Sequence, residues 1–419
     1  MIATRGAGWV KRTLGETILA ALPGARVGDG VTIRSAAGRM LGGEVASVER
    51  SRVAIAPFGP VAGVAVGDRV EIDAAALVCP AGFGALGRAF DASGRALDGA
   101  VPWAGLVARV DKSSAEAPAD RAAITVPFWT GVRAIDGLLT LGRGARIGLF
   151  GAPGAGKTTL LETIATGAQA DAVVLALVGE RGREAQQWCN RIDRRTTLIC
   201  ATSDRSASER IRAADVAMTQ AQRLRDGGIH VLLVIDSLAR YVAALREQRV
   251  ALGEPVGRGG YPPSVWAELA RYLERAGTTA HGSISLLCTV LSDGADDREP
   301  LSDAARSLLD GHIALSSALA QAGHFPAIDV LESTSRTMNG VIAESHLADA
   351  AAVRGALALL AKTADARTVG LAGGDDRALQ AAVAAEPAID AFLRQREPAR
   401  SAETLRSLRS LAALVAFRP

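Results

Sequence analysis

Four cysteines in 419 residues, Cys79, Cys189, Cys200 and Cys288, stand far apart without paired spacing. That excludes a zinc ribbon and argues against a disulfide scaffold. Aromatic residues make up only 4%, which leaves few platforms on which nucleic-acid bases could stack. Charge of one sign is also lacking. Lys and Arg total 47 against 44 Asp and Glu, a net charge of +3, too small an excess for a polyanion footprint. The apolar runs are short, as in Val173–Val178 and Val231–Ile235, and none reaches the ~18 residues of a membrane span. No apolar core with a cleavage site opens the chain, so no secretory signal is read there. What is present is ordinary globular usage, 49% hydrophobic and 22% charged. At ~150 residues per domain the length predicts two to three domains. The expectation is a cytoplasmic, multidomain protein with no nucleic-acid partner.

The pattern changes along the chain. Trp9, Val10, Leu14, Ile18, Leu19 and Leu22 fall near one helical face, with Lys11 and Arg12 beside it. Residues 1–24 are therefore predicted to form a short helix, either for packing or for docking on a partner or membrane surface, ended by Pro23-Gly24. From Ala25 to Ala76, Val27, Val31 and Ile33 alternate, as do Val53 and Ile55, and Val64 and Val66, with glycines at the turns. This predicts a small β-barrel or sandwich. Beyond about Val78, strand-like runs at 147–150, 173–178, 231–235 and 284–291 alternate with helical stretches. Apolar runs without in-out alternation suit parallel strands covered on both faces, hence an α/β core. Lys112–Asp120 reads as a loop. Past Leu347 the chain is predicted to form short helices, broken at Gly373-Gly374 and Pro387, with Leu405, Leu408 and Leu411 on the last. The predicted domains are residues 1–78, 79–345 and 346–419.

The chemistry-bearing segment is Gly151-Ala152-Pro153-Gly154-Ala155-Gly156-Lys157-Thr158, followed by Thr159. It fits the phosphate-loop pattern in full. Glycines let backbone N–H groups turn inward around phosphates. Lys157 supplies a point charge at the terminal phosphates, and Thr158 offers a hydroxyl to Mg²⁺. The helix that starts there points its positive end at the anion. Val231–Ile235 is an apolar strand ending in Asp236, a second oxygen ligand for the metal, reached through water. Gly179-Glu180-Arg181-Gly182-Arg183-Glu184 follows another apolar strand. A carboxylate at a strand's C-terminal end lies at the ligand crevice of a doubly wound sheet, so Glu180 is the candidate for polarising an attacking water.

These motifs and several others, in one order, resemble the hexameric ATPases of type III secretion systems, injectisome and flagellar, relatives of the F-type rotary ATPase subunits. The matching stretches include Leu86-Gly87-Arg88, Leu97-Asp98-Gly99, residues 130–139, Asp236–Tyr241, Gly260–Val265, Leu309–Ile313, Pro326–Leu331 and Ser335-Arg336. The resemblance implies a RecA-like ATPase core between an N-terminal β-barrel for oligomerisation and a C-terminal helical domain for substrate, chaperone and stalk contacts. It implies Glu180 as catalytic carboxylate and Arg181 and Arg240 near the terminal phosphate. Arg336 becomes an arginine finger reaching the neighbouring subunit's site, and Phe325 the aromatic packing on adenine. The implied cofactors are ATP and Mg²⁺. The implied partners are other copies in a homohexamer, secretion chaperones and export substrates, a central stalk protein and a peripheral-stalk regulator. The implied place is the cytoplasmic face of the inner membrane, at the secretion apparatus, with peripheral membrane association.

Ser317, Gly259 and Lys362 depart from the family pattern without touching these residues. The 314–320 and 257–260 stretches lean to the injectisome branch. Three other readings use the same core: a catalytic subunit of a rotary ATP synthase, an RNA-translocating hexamer, and a non-catalytic nucleotide-binding subunit. Phe58 is the one aromatic in residues 25–76, which disfavours the RNA reading. Glu180 disfavours the non-catalytic one.

Overall fold

The computed structural model describes residues 6–50, 52–110, 112, 117–291, 300–368 and 376–416. The chain folds into two compact units, residues 1–117 with 172–276 and residues 118–171 with 277–419.

The first unit opens with a closed barrel of six strands: β1 (Ala7–Leu14), β2 (Thr17–Ala21), β3 (Gly30–Arg34), β4 (Met40–Glu49), β5 (Arg52–Pro57) and β6 (Arg69–Ile72), in the order β1-β2-β5-β4-β3-β6. Every neighbouring pair is antiparallel. Val10, Ile18, Ala20, Val31, Ile33, Val45, Val53, Ile55 and Val70 fill its interior. The described part of the predicted helix at 1–24, residues 6–24, is thus not a helix. Val10, Ile18 and Ala20 point inward at strand period, while Trp9 is 52% exposed; a two-residue turn and antiparallel pairing outweigh a helical pattern of only a few matches. The predicted alternation holds for Val31, Ile33, Val53 and Ile55 but not for Val27, Val64 and Val66, which lie outside the strands.

In the same unit the strands His230–Asp236, Ala172–Val178, Thr196–Ala201 and Ala89–Asp91 run parallel, side by side in that order. The helix Ala207–Asp226 packs over them. It begins with a capping box in which Ser206 accepts from Glu209 N and the Glu209 carboxylate reaches back to Ser206 N. Arg212 ties this helix to the barrel side. Its guanidinium donates to the Ala76, Val78 and Ala92 carbonyls and lies 3.9 Å from the Phe58 ring centroid.

In the second unit the strand Arg146–Gly151 pairs parallel with Ser283–Leu291 on one side and Gly311–Leu315 on the other. Ile328–Ser335 closes that edge antiparallel. Asp310 fixes the parallel register by accepting from Arg146 N at 2.9 Å and from its guanidinium. Three helices end the unit: Glu344–Thr368, Arg377–Leu393 and Ser401–Val415. They are longer than predicted, and Pro387 lies within the second rather than ending it. The carbonyl that loses its donor belongs to Val383, while Ala382, Ala385, Ile389 and Phe392 stay buried along the helix and hold it through packing. Gly373-Gly374 lies outside the described residues, as does part of the predicted loop at 112–120. Leu408 and Leu411 are buried on the last helix, as its pattern predicted. No described helix is long and apolar enough to cross a membrane.

Candidate active site: a phosphate loop, a base pocket and a buried carboxyl

The second unit carries the phosphate loop between the strand Arg146–Gly151 and the helix Lys157–Gly167. Gly156 caps that helix at φ +89°, left-handed backbone that an L side chain resists. The Lys157 ammonium folds back over the loop and donates to the Gly151 and Ala152 carbonyls at 2.5 and 2.8 Å. The Thr158 hydroxyl lies on the first helical turn, where the macrodipole favours anions.

Beside the loop is a pocket of about 350 Å³ whose lining includes Val132, Gly156, Thr159, Phe325, Gln395 and Arg396. Phe325 is 45% exposed, and its ring lies 3.5 Å from where a Cβ on Gly156 would stand. The phosphate loop and Phe325, separated widely in sequence, are thus neighbours. Val132, Gln395 and Arg396 were not read from sequence as part of this wall. Gln395 sits between two C-terminal helices and carries no local signal.

The first unit carries the acidic group. Gly179 follows the strand Ala172–Val178 at φ +71°, and a Cβ there would stand 3.0 Å from the Arg240 Cδ. Glycine therefore lets Arg240 approach and donate to the Gly179 carbonyl. Arg240 also pairs with Glu180, Nε to Oε1 at 3.3 Å. Glu180 is 7% exposed. Its carboxyl is pushed up to about 8 by burial, by the neighbouring Asp236 charge and by a hydrogen bond with Glu184, with Arg240 pulling the other way. Asp236 is buried at the end of its strand. Ser237 next to it caps the helix Leu238–Ala251 by accepting from Arg240 N. The sequence candidates Glu180, Asp236 and Arg240 are thus gathered at one place. Glu184 joins them, a neighbour that sequence reasoning left without a role. Arg181 lies next in the chain, exposed at the start of the helix Gly182–Cys189.

Arg336 stands apart from the phosphate loop of its own unit. It follows the strand Ile328–Ser335, is exposed, and donates to the Arg306 carbonyl, while its N–H holds the Asp310 carbonyl.

A phosphate loop capping a helix after a parallel strand defines a nucleoside-triphosphate-binding protein, and residues 131–335 match the ATP synthase alpha/beta family, nucleotide-binding domain. The chain is 41% identical to the type 3 secretion system ATPase of Sinorhizobium fredii over 93% of its own length and 88% of that protein. It is 38% identical to the flagellum-specific ATP synthase of Bacillus subtilis over 96% of its length and 94% of that protein. Its fold is similar to that of the assembled ATPase EscN of the enteropathogenic E. coli type III secretion system. The TM-score is 0.90 at 37% identity, over 97% of this chain and 100% of that one. The chain belongs to the type III secretion and flagellar export ATPases. It is an ATP-binding ATPase of that family, with the family's β-barrel, mixed α/β nucleotide-binding sheet and C-terminal helices.

Proposed function

We propose that this ATPase hydrolyses ATP to ADP and phosphate as a homohexameric ring and thereby energises type III protein export. The observation that carries the chemistry is Glu180, buried, paired with Arg240 and raised to about 8. The ionised form of that carboxyl, filled as pH rises through about 8, accepts a proton from an attacking water. Gly151, Ala152, Pro153, Gly154, Ala155 and Gly156 supply the backbone cradle for the phosphates. Lys157 exchanges its two carbonyl partners for phosphate oxygens, and Thr159 borders the nucleotide. Thr158 and Asp236 each offer the hard oxygen that Mg²⁺ takes, the latter through water. When bound, Mg²⁺ neutralises charge on the terminal phosphates. Phe325 is the adenine platform. Arg181 and Arg240 attend the terminal phosphate.

Arg336, exposed and away from its own phosphate loop, acts on the neighbouring subunit's nucleotide. A guanidinium there stabilises the charge that spreads over the γ-oxygens, and a closed ring gives each site the same donor. EscN has been solved as an assembled ATPase and in complex with its central stalk EscO, which supports both a ring and a stalk partner here. Secretion chaperones, export substrates and a peripheral-stalk regulator complete the set of partners, with chaperone release or substrate unfolding as the work done. The ring sits at the cytoplasmic face of the inner membrane, peripherally attached at the secretion apparatus. Residues 1–78 form the oligomerisation domain, 79–345 the ATPase domain and 346–419 the partner-facing helices.

The test is Glu180→Gln. It keeps ATP binding and lowers hydrolysis by ~10²-fold or more, the scale of a lost general base. Wild-type protein, and not this variant, restores export in cells lacking their own export ATPase. Near-normal turnover by the variant would remove Glu180 from its role.

A further inference from the structure

The loop that carries Phe325 is held from outside its own strands. Three successive residues of it are gripped by the end of the helix Arg377–Leu393 and the residues just after. Arg394 Nη1 donates to the Gly323 carbonyl at 3.0 Å. His324 Nδ1 lies 3.1 Å from Asp390 Oδ1. Gln395 N donates to the Phe325 carbonyl at 2.9 Å. Arg394 is itself fixed by Asp390, at 2.6 Å.

The Gln395 side chain then spans to the opposite wall of the pocket. Its Oε1 accepts from Arg133 N at 2.8 Å, and its Nε2 donates to the Gly131 and Glu397 carbonyls, both at 2.6 Å. Val132, a lining residue, lies between the two residues so held. Both donors of the amide are thus committed to this chain's own backbone. The ring of Phe325 is half-exposed, so core packing does little to fix it.

We infer that Gln395 is a positioning residue: it sets the aromatic lip and the Val132 wall of the base pocket from the C-terminal helices. Its side-chain polar atoms are bonded to this chain's own backbone, and its effect is on nucleotide affinity rather than on turnover. A preformed platform saves the ordering cost that a loose one would incur on binding. This inference rests on reading Phe325 as the adenine platform.

The experiment measures ATP hydrolysis, together with the affinity of ATP and of inorganic tripolyphosphate, which has no base, by displacement of a fluorescent nucleotide. Gln395→Ala is expected to raise KM and Kd for ATP about tenfold, the scale of one lost preorganised group. kcat and tripolyphosphate affinity stay within about twofold. Gln395→Glu keeps the acceptor for Arg133 N and loses both Nε2 donors. It shifts ATP affinity in the same direction, and it carries the test if the alanine variant fails to fold by thermal melting. An unchanged ATP affinity in both variants overturns the inference. So does an equal loss for tripolyphosphate, or a fall in kcat at constant KM. Phe325→Ala separates the two readings. If it leaves ATP affinity unchanged, the platform reading fails; if it weakens ATP while the Gln395 variants do not, only the positioning role fails.

Discussion

The phosphate loop and the Glu180 pocket solve different problems with different parts of the chain. The loop binds charge with backbone: Gly156 turns left-handed, the helix Lys157–Gly167 supplies its positive end, and one lysine closes over the carbonyls. Everything it needs lies within a few consecutive residues. The Glu180 pocket tunes a proton instead. It needs burial, an opposing Asp236, a neighbouring Glu184 and a restraining Arg240, brought from two separate segments. Gripping an anion asks only for local geometry, whereas setting a carboxyl near neutrality asks for an assembled environment.

The comparison can be broken most forcefully from outside both regions. Arg336→Ala should leave nucleotide affinity near that of the wild type and cut kcat by ~10³-fold, the scale of an arginine finger. Rings mixed with wild-type subunits locate the effect, because a residue acting on the neighbour poisons wild-type sites. Activity falling only in proportion to the mutant fraction would place Arg336 in its own subunit's chemistry. Next in size is the ~10²-fold loss for Glu180→Gln at intact binding. Binding lost along with turnover would mean that the two regions are not separable.

Smaller and sharper is the pH profile. Glu180 is raised, so its basic form is filled only above about 8. kcat/KM, which reports the free enzyme, should therefore climb as pH rises through about 8 and fall away below it. Arg240 opposes that rise, so Arg240→Ala should move the midpoint further up. A profile flat between pH 6.5 and 9 would deny the carboxyl its assigned environment. The smallest effect tests the backbone side. Gly156→Ala places a Cβ in ordinary contact with Phe325, yet at φ +89°. Chemical denaturation should show a loss of ~1 kcal/mol from the left-handed backbone.

Legibility followed the same division. The phosphate loop, the four apolar strands and the acids after two of them could be read because each is a short run with its own periodicity or spacing. Residues 1–24 could not, because their apolar positions fit a helical face and an alternating strand at once. Only closure of the barrel, with Val10 and Ile18 inside it, decides between them. Pro387 misled for a related reason: a helix whose buried face is packed tolerates the loss of one backbone bond. Gln395 had no signal at all, since the carbonyl it grips at Gly131 is 264 residues away.

By itself the sequence determined the phosphate-binding chemistry, the alternation of strands and helices and, through its resemblance, the family, because these rest on residues near one another in the chain. The tertiary structure alone decided the strand character of the N-terminus, the raised carboxyl at Glu180 and the bolting of Phe325 to the C-terminal helices. Burial, charge proximity and hydrogen bonds between distant segments do not exist until the chain has folded.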